Sequence, residues 1–358
     1  MEKNKKLILY STTRQYNPGD EFILFGVMNL IESIGINQNP VIYNRNQEIN
    51  QPLSFLNPLR KIKMQSRWIK VLGTFLRISQ VDNSFKDIHS LDIYDMVIFA
   101  GSPEWASSRL NPLYTKLKSF NKPILYLGLG SFQREINVSK SKSMILNKAK
   151  LITYRNKDLD VFFEEFSNAV HLPCPALFSV KTFNHEIKMG KIAIVFGVAN
   201  ASKGNHVSNK AMDKMKLAYE HLCDMNYNVE IVCHYIDEIS FAKEIFPKAK
   251  IHYSYDAKDY EKIYKEFEYV VTSRVHAIGM CASLSIPGTL IGHDGRASTV
   301  KGFLADIIND GEENDVFLRK IIQRIKKSNE LSKSLKSHKK DFYIKYQEIL
   351  KSRLNLND

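Results

Sequence analysis

Tyr269-Val270-Val271-Thr272-Ser273-Arg274-Val275-His276-Ala277 reads as a buried strand that runs straight into the start of a helix. Tyr269 through Thr272 are aromatic or β-branched, the composition of a covered strand. Ser273 reads as the helix cap, and the helix opens on Arg274 and His276. Backbone N–H groups at a helix start are unpaired and carry partial positive charge. An arginine there adds a rigid fork suited to phosphate or carboxylate. A histidine two residues on adds a proton donor or acceptor. Together these residues predict a site for an anionic substrate that also undergoes proton transfer.

Outward from this stretch, short β-like runs alternate with helical ones, the pattern of α/β layering. Before it lie Leu7–Tyr10, Met96–Phe99, Ile124–Leu127 and Leu151–Tyr154, with Leu172-Pro173-Cys174-Pro175 closing the first half. A helix is expected over Asp20–Ile34. A polar segment around Asn184–Gly190 reads as a linker. A second half follows with strands at Ile192–Phe196, Val229–Cys233, Ile251–Tyr253, Tyr269–Thr272 and Gly288–Gly292, and helices at Lys210–Met225 and Tyr260–Glu266. The expected architecture is two Rossmann-like domains, 1–183 and 184–315, facing a cleft, then a basic helical tail over 316–358. Ligands of open α/β sheets bind beyond the carboxyl ends of strands, where most of the distinctive residues fall.

The chain has 358 residues, 44% of them apolar and 25% charged, which suits a soluble globular protein with two substantial cores. No apolar run is long enough to span a bilayer. Met1-Glu2-Lys3-Asn4-Lys5-Lys6 leads into a short strand rather than a signal sequence, and the four cysteines lack metal-type spacing. A cytoplasmic protein with reduced thiols is expected. The net charge of +13 concentrates in the tail and around Arg60, Lys61, Lys63, Arg67, Lys70 and Arg77. The tail reads as a solvated helix face. The Arg60–Arg77 cluster mixes cations with Trp68, Leu72 and Phe75, so peripheral contact with an anionic membrane is an alternative to a solvated face. No nucleic-acid motif accompanies the charge, and no nucleic-acid partner is expected.

Several strand-end loops carry residues with chemistry. Asn17-Pro18-Gly19-Asp20-Glu21 is either a turn with Asp20 as helix cap, or a substrate loop in which Asp20 meets hydroxyls or acts as a base. In Gly101-Ser102-Pro103-Glu104-Trp105, Trp105 either stacks on a sugar whose hydroxyls meet Glu104, or folds into the core. Gly128-Leu129-Gly130-Ser131 lacks the third glycine of a dinucleotide loop, so close strand-on-helix packing is the better reading of both glycines. Arg155 either faces the cleft to hold an anion or pairs with Asp158 on the surface. The 199–206 loop, with Lys203 and Asn205, is an anion loop or a plain surface loop. His234 at a strand end reaches the cleft or is structural. His293, Asp294 and Arg296 gather beside Arg274 and His276 at one mouth.

In order along the chain, Asn17-Pro18-Gly19-Asp20, Gly101, Gly128-Leu129-Gly130-Ser131, Tyr154-Arg155, Pro173-Cys174-Pro175-Ala176 and Ser273-Arg274-Val275-His276 resemble the polysaccharide pyruvyl transferase family. The resemblance runs from about Leu7 to Leu304. It implies a glycosyltransferase-B-like fold, phosphoenolpyruvate as co-substrate with no other cofactor, and a sugar or lipid-linked saccharide acceptor that receives the pyruvyl group as a cyclic ketal. It places Arg274, His276 and Arg155 at the donor. His276 is the expected acid and Asp20 the residue that orients or deprotonates a hydroxyl. Lys203 and His293 complete the anion cage. Two positions depart from the family pattern: Asn156 stands where an acid is common, and Ala100–Trp105 replaces a glycine run. A nucleotide-sugar glycosyltransferase of the same fold and a non-catalytic glycan- or anion-binding protein are the rival readings. No residue cluster argues for a metal.

Overall fold

The computed structural model describes residues 5–12, 17–44, 90–101, 110–130, 138–183, 185–197 and 207–356. The first sheet is built from Lys6–Thr12 (β1), Gln38–Asn44 (β2), Met96–Ala100 (β3), Ile124–Leu129 (β4), Leu151–Tyr154 (β5) and Ala169–His171 (β6). The second comprises Lys191–Phe196 (β7), Asn228–Cys233 (β8), Ile251–His252 (β9), Tyr269–Thr272 (β10), Gly288–Gly292 (β11) and Asp306–Asn309 (β12). The helices are Pro18–Ser33 (α1), Asn111–Leu117 (α2), Lys140–Lys148 (α3), Asp160–Phe163 (α4), Asn209–Asp224 (α5), Glu238–Ile245 (α6), Tyr260–Tyr264 (α7), Val275–Ser283 (α8), Asn314–Ile325 (α9) and Ser328–Leu354 (α10). The strand orders are β2-β1-β3-β4-β5-β6 and β12-β11-β10-β7-β8-β9. All pairings are parallel.

Central strands of such sheets are covered on both faces, so they read as unbroken apolar runs. Every residue of β3, β4 and β10 is buried. Strands β2, β6 and β12, which the sequence reading lacks, are all sheet edges and only partly buried. A half-covered edge needs no continuous apolar run, which removes the signal. The first sheet therefore closes on Ala169–His171, and Pro175–Phe178, just beyond Leu172-Pro173-Cys174, is a short 3-10 helix.

Strand order reverses between β1 and β3 in the first sheet and between β7 and β10 in the second. A crevice opens at such points, at the carboxyl ends of the strands. The two reversal points supply the loop at Asn17, Gly101, Gly197 and the β10–α8 junction at Arg274.

Helix α1 joins the two halves. Phe22, Ile23, Val27, Leu30 and Ile31 are fully buried and share one core with Ala176, Phe178, Ile278 and Cys281. Each large apolar side chain so buried stabilises by roughly 1.5–3 kcal/mol. Helix α10 returns from the second half to the first: Tyr346 Oη donates to the Pro173 carbonyl at 2.8 Å and Gln347 Nε2 to the Ser33 carbonyl at 3.0 Å. The expected solvated tail is thus helical but buries a face along Leu335, Lys339, Tyr346 and Leu350.

Lys339 is the unusual member of that face. Its Nζ donates to the carbonyls of Val180 (2.8 Å), Thr182 (2.9 Å) and Ser283 (2.8 Å). Three acceptors match the three N–H groups of an ammonium. Burial nonetheless pushes its pKa down to about 7. The folded chain then holds fewer protons here than the unfolded chain between about pH 7 and the ordinary lysine value of ~10.4, so this group's contribution to stability rises with pH across that window. Lys339→Met leaves three carbonyls unpaired and is expected to cost about 2–4 kcal/mol at neutral pH. Denaturant unfolding across pH 7 to 10 checks both points: the variant should be less stable and its pH slope flatter.

Candidate active site

The residues expected at the anion site come from both sheets. Arg155 follows β5, with its backbone N–H on the Leu129 carbonyl at 2.9 Å. The residue is 7% exposed, and Nη1 lies 3.2 Å from His276 Nε2. The surface pairing with Asp158 is not formed. A guanidinium only donates, so Nε2 of His276 accepts and the imidazole is the neutral form protonated on Nδ1. Burial, then the cations of Arg155 and Arg296, then His234, hold the His276 pKa well below the ordinary histidine value. Arg155 Nη1 is also 3.7 Å from Cys174 Sγ, and its buried Nε has no hydrogen-bond partner among the described residues.

Glycines give these groups room. A Cβ on Gly19 would sit 2.9 Å from the His276 Cβ, one on Gly130 2.5 Å from Arg155 Nε, and one on Gly197 3.1 Å from Arg274 Nη2. Gly130 thus serves the arginine rather than strand-on-helix packing. Gly128, at φ +79°, faces Pro175.

At the head of α8 the cap differs from expectation. Arg274 itself occupies the N-cap position in an extended conformation, and its N–H donates to Thr272 Oγ1 at 2.9 Å. Ser273 Oγ is buried and finds no partner among the described residues. The Arg274 side chain turns toward the second sheet. Nη2 donates to Glu238, Nε points at the Phe196 carbonyl at 3.5 Å, and the guanidinium lies 4.6 Å over the Tyr235 ring. At the head of α1, the cap is Asn17, whose Oδ1 accepts from the Gly19 N–H at 3.0 Å, not Asp20. Asp20 sits in the first turn, half-buried, 3.4 Å from Asn17 Nδ2.

His234 is buried. Its Nε2 meets Tyr264 Oη at 2.7 Å, and its ring stands edge-on to Phe22 and Tyr260. Burial, then the Arg274 cation, holds its pKa well below the ordinary value. Asp294 caps the 3-10 turn Gly295–Phe303 and binds Arg296 through the backbone N–H and Nε, both at 2.8 Å. Burial raises the Asp294 pKa, but Arg296 outweighs it and the net shift is downward. Arg296 still acts electrostatically on both Arg274 and His276, and His293 lies 3.9 Å from Asp294.

Asn156, the departure from the acidic pattern, bridges the two halves: Nδ2 donates to Ser298 Oγ and Thr299 Oγ1, both at 2.9 Å. It fixes the position of its neighbour Arg155 against the second half. Glu238, Tyr235 and the bridge partners Ser298 and Thr299 are absent from the sequence reading, and Cys174 enters it only as part of the Pro173–Ala176 motif. Glu238 looks there like an ordinary acid in a first helical turn, which carries no distinguishing signal. Glu104, Trp105, Lys203, Asn205 and the Arg60–Arg77 cluster lie outside the described residues. Among the described residues, no group of His, Cys, Asp or Glu is arranged to hold a metal, and no helix is long and apolar enough to cross a membrane.

Comparison with protein families matches residues 17–295 to polysaccharide pyruvyl transferase. Comparison with curated proteins finds no match. Among solved structures, the chain is similar to S. aureus MnaA with UDP (14% identity, 98% of each chain, TM-score 0.57). It is also similar to UDP-GlcNAc 2-epimerase from Neisseria meningitidis bound to UDP-GlcNAc (11% identity, 99% of this chain and 100% of that one, TM-score 0.54). These likenesses carry the fold: two parallel α/β sheets of the glycosyltransferase-B type facing a cleft.

Proposed function

The chain belongs to the polysaccharide pyruvyl transferase family and is a transferase, and from that premise we propose that its cleft moves a pyruvyl group from phosphoenolpyruvate to a saccharide as a ketal. The observation that carries this reading is the 3.2 Å meeting of Arg155 and His276 across the cleft. A buried cation with an unpartnered Nε, touching a neutral imidazole, suits a substrate that is an anion and also needs a proton.

The donor's phosphate and carboxylate take the Arg155 N–H groups, with Arg274 and Arg296 alongside. Arg155 then releases His276 Nε2, and the nearby anion favours the imidazolium. His276 gives its proton to the methylene carbon C3, which leaves C2 electrophilic. One sugar hydroxyl adds to C2 and loses its proton, with Asp20 placed to orient or accept it. Phosphate departs with the C2–O electron pair, and a second hydroxyl closes the ketal with loss of its own proton. In this reading residues 1–183 hold the acceptor and part of the donor, while 184–315 hold the donor anion. Lys203, Asn205 and His293 complete the anion cage, and Glu104 and Trp105 face the sugar. The acceptor is a sugar of a cell-surface polysaccharide or its lipid-linked precursor. The basic cluster at Arg60–Arg77 suits access to a lipid-borne acceptor from the cytoplasmic side.

Calorimetric titration of phosphoenolpyruvate and of a nucleotide-sugar panel into wild type and Arg155→Ala tests this. Saturable phosphoenolpyruvate binding is expected, weakened in the variant by about 2–5 kcal/mol, the scale of a buried charged contact. Binding of a nucleotide-sugar with none of phosphoenolpyruvate would move the chain to glycosyl transfer.

A further inference from the structure

Glu238 opens α6 after β8, two strands over from the β10 end that carries Arg274, and is 0% exposed. A fully buried carboxylate requires partners for both oxygens. Oε2 accepts from the backbone N–H groups of His234 (2.9 Å) and Tyr235 (3.1 Å), and Oε1 accepts from Arg274 Nη2. One side chain thus ties the β8–α6 loop to the head of α8. The same loop supplies Tyr235, whose ring forms the floor under the guanidinium. With Nη2 on Glu238 and Nε directed at Phe196, these contacts leave Nη1 for another partner.

Arg155 and Arg274 therefore differ. Arg155 meets only the neutral His276 and the Cys174 thiol among the described residues. Arg274 meets a carboxylate, which cancels most of its charge at close range. We propose that Glu238 is a positioning residue for transfer, clamping the Arg274 fork over Tyr235 so that it acts as an oriented donor, while Arg155 carries the charge of the substrate anion. The assignment rests on the donor reading of the preceding subsection.

The test is a double-mutant cycle read by phosphoenolpyruvate calorimetry on wild type, Glu238→Gln, Arg274→Ala and the double variant. Glutamine keeps the size and still accepts from the two N–H groups, but its NH2 then faces the Arg274 donors and releases them. Glu238→Gln and Arg274→Ala are each expected to weaken binding about tenfold or more. The double variant should be no weaker than Arg274→Ala within about twofold, because residues that act as a unit are not additive. A merely structural Glu238 would give multiplied losses and overturn the assignment, as would wild-type binding by Glu238→Gln. If Glu238→Gln does not fold, Glu238→Asp, which keeps the charge on a shorter arm, enters the same cycle. Wild-type affinity in Arg274→Ala would instead sink the donor reading at Arg274 and leave the contacts of Glu238 as fold alone.

Discussion

His276→Gln is expected to bind phosphoenolpyruvate within about threefold of wild type while turning over about 10²- to 10⁴-fold more slowly, the span of a lost general acid. The glutamine oxygen can accept from Arg155 as Nε2 does, so the arginine keeps its place. Only the transferable proton is gone. A second consequence separates this role from simple packing. In the empty cleft, burial and then the cations of Arg155 and Arg296 keep His276 neutral at pH 7. A bound phosphate and carboxylate raise its pKa, so binding should take up a proton from solution. The uptake should appear between the depressed value of the empty site and the raised value of the occupied one, and vanish well above the latter. Calorimetry in buffers of different ionisation enthalpy measures it, and His276→Gln serves as the blank for the ligand's own phosphate. Full turnover by the variant, or equal uptake in both proteins, would remove His276 as the acid.

What the sequence made legible follows from where each signal resides. The central strands announce themselves because both their faces are covered, and β10 is the clearest case. Edge strands β2, β6 and β12 have one poorly covered side and read as ordinary loop. The same distinction holds in the cleft. His276 and Arg155 stand out because a charged or titratable residue at the end of an apolar run has little structural excuse. Their contact, 121 residues apart in sequence, has no local trace. Glu238 is hidden for the opposite reason: an acid in a first helical turn needs no further account. Lys339 is hidden because basic helices usually face water, and only the tertiary structure places three carbonyls around it. Asn156 was visible as a departure. Its bridge to Ser298 and Thr299 requires the two halves to be brought together first.

The largest loss of folded protein is expected from Gly26→Ala. Gly26 lies inside α1, where glycine costs about 1 kcal/mol against alanine by intrinsic preference, so alanine there should stabilise an isolated helix. The packing reverses that sign. A Cβ at Gly26 would fall 1.8 Å from the Pro175 carbonyl oxygen and 2.6 Å from its carbon. Both are backbone atoms of the 3-10 turn Pro175–Phe178, so no side chain can swing aside. Helix α1 would have to lift off, opening the core that Phe22, Ile23 and Val27 share with Ala176 and Phe178. Overpacking alone costs about 1–3 kcal/mol, and parting these buried side chains adds to it. The expected outcome is a fall in stability of about 3 kcal/mol or more, read by denaturant titration or by loss of soluble protein. Whatever folds should also bind donor poorly, because α1 carries Gly19 against His276 and Pro175 adjoins Cys174 beside Arg155. Gly26→Ser should fail in the same way, since any Cβ meets the same carbonyl. A Gly26→Ala protein with wild-type stability would mean that α1 and the Pro175 turn do not pack this closely, and the cleft geometry built on α1 would fall with it.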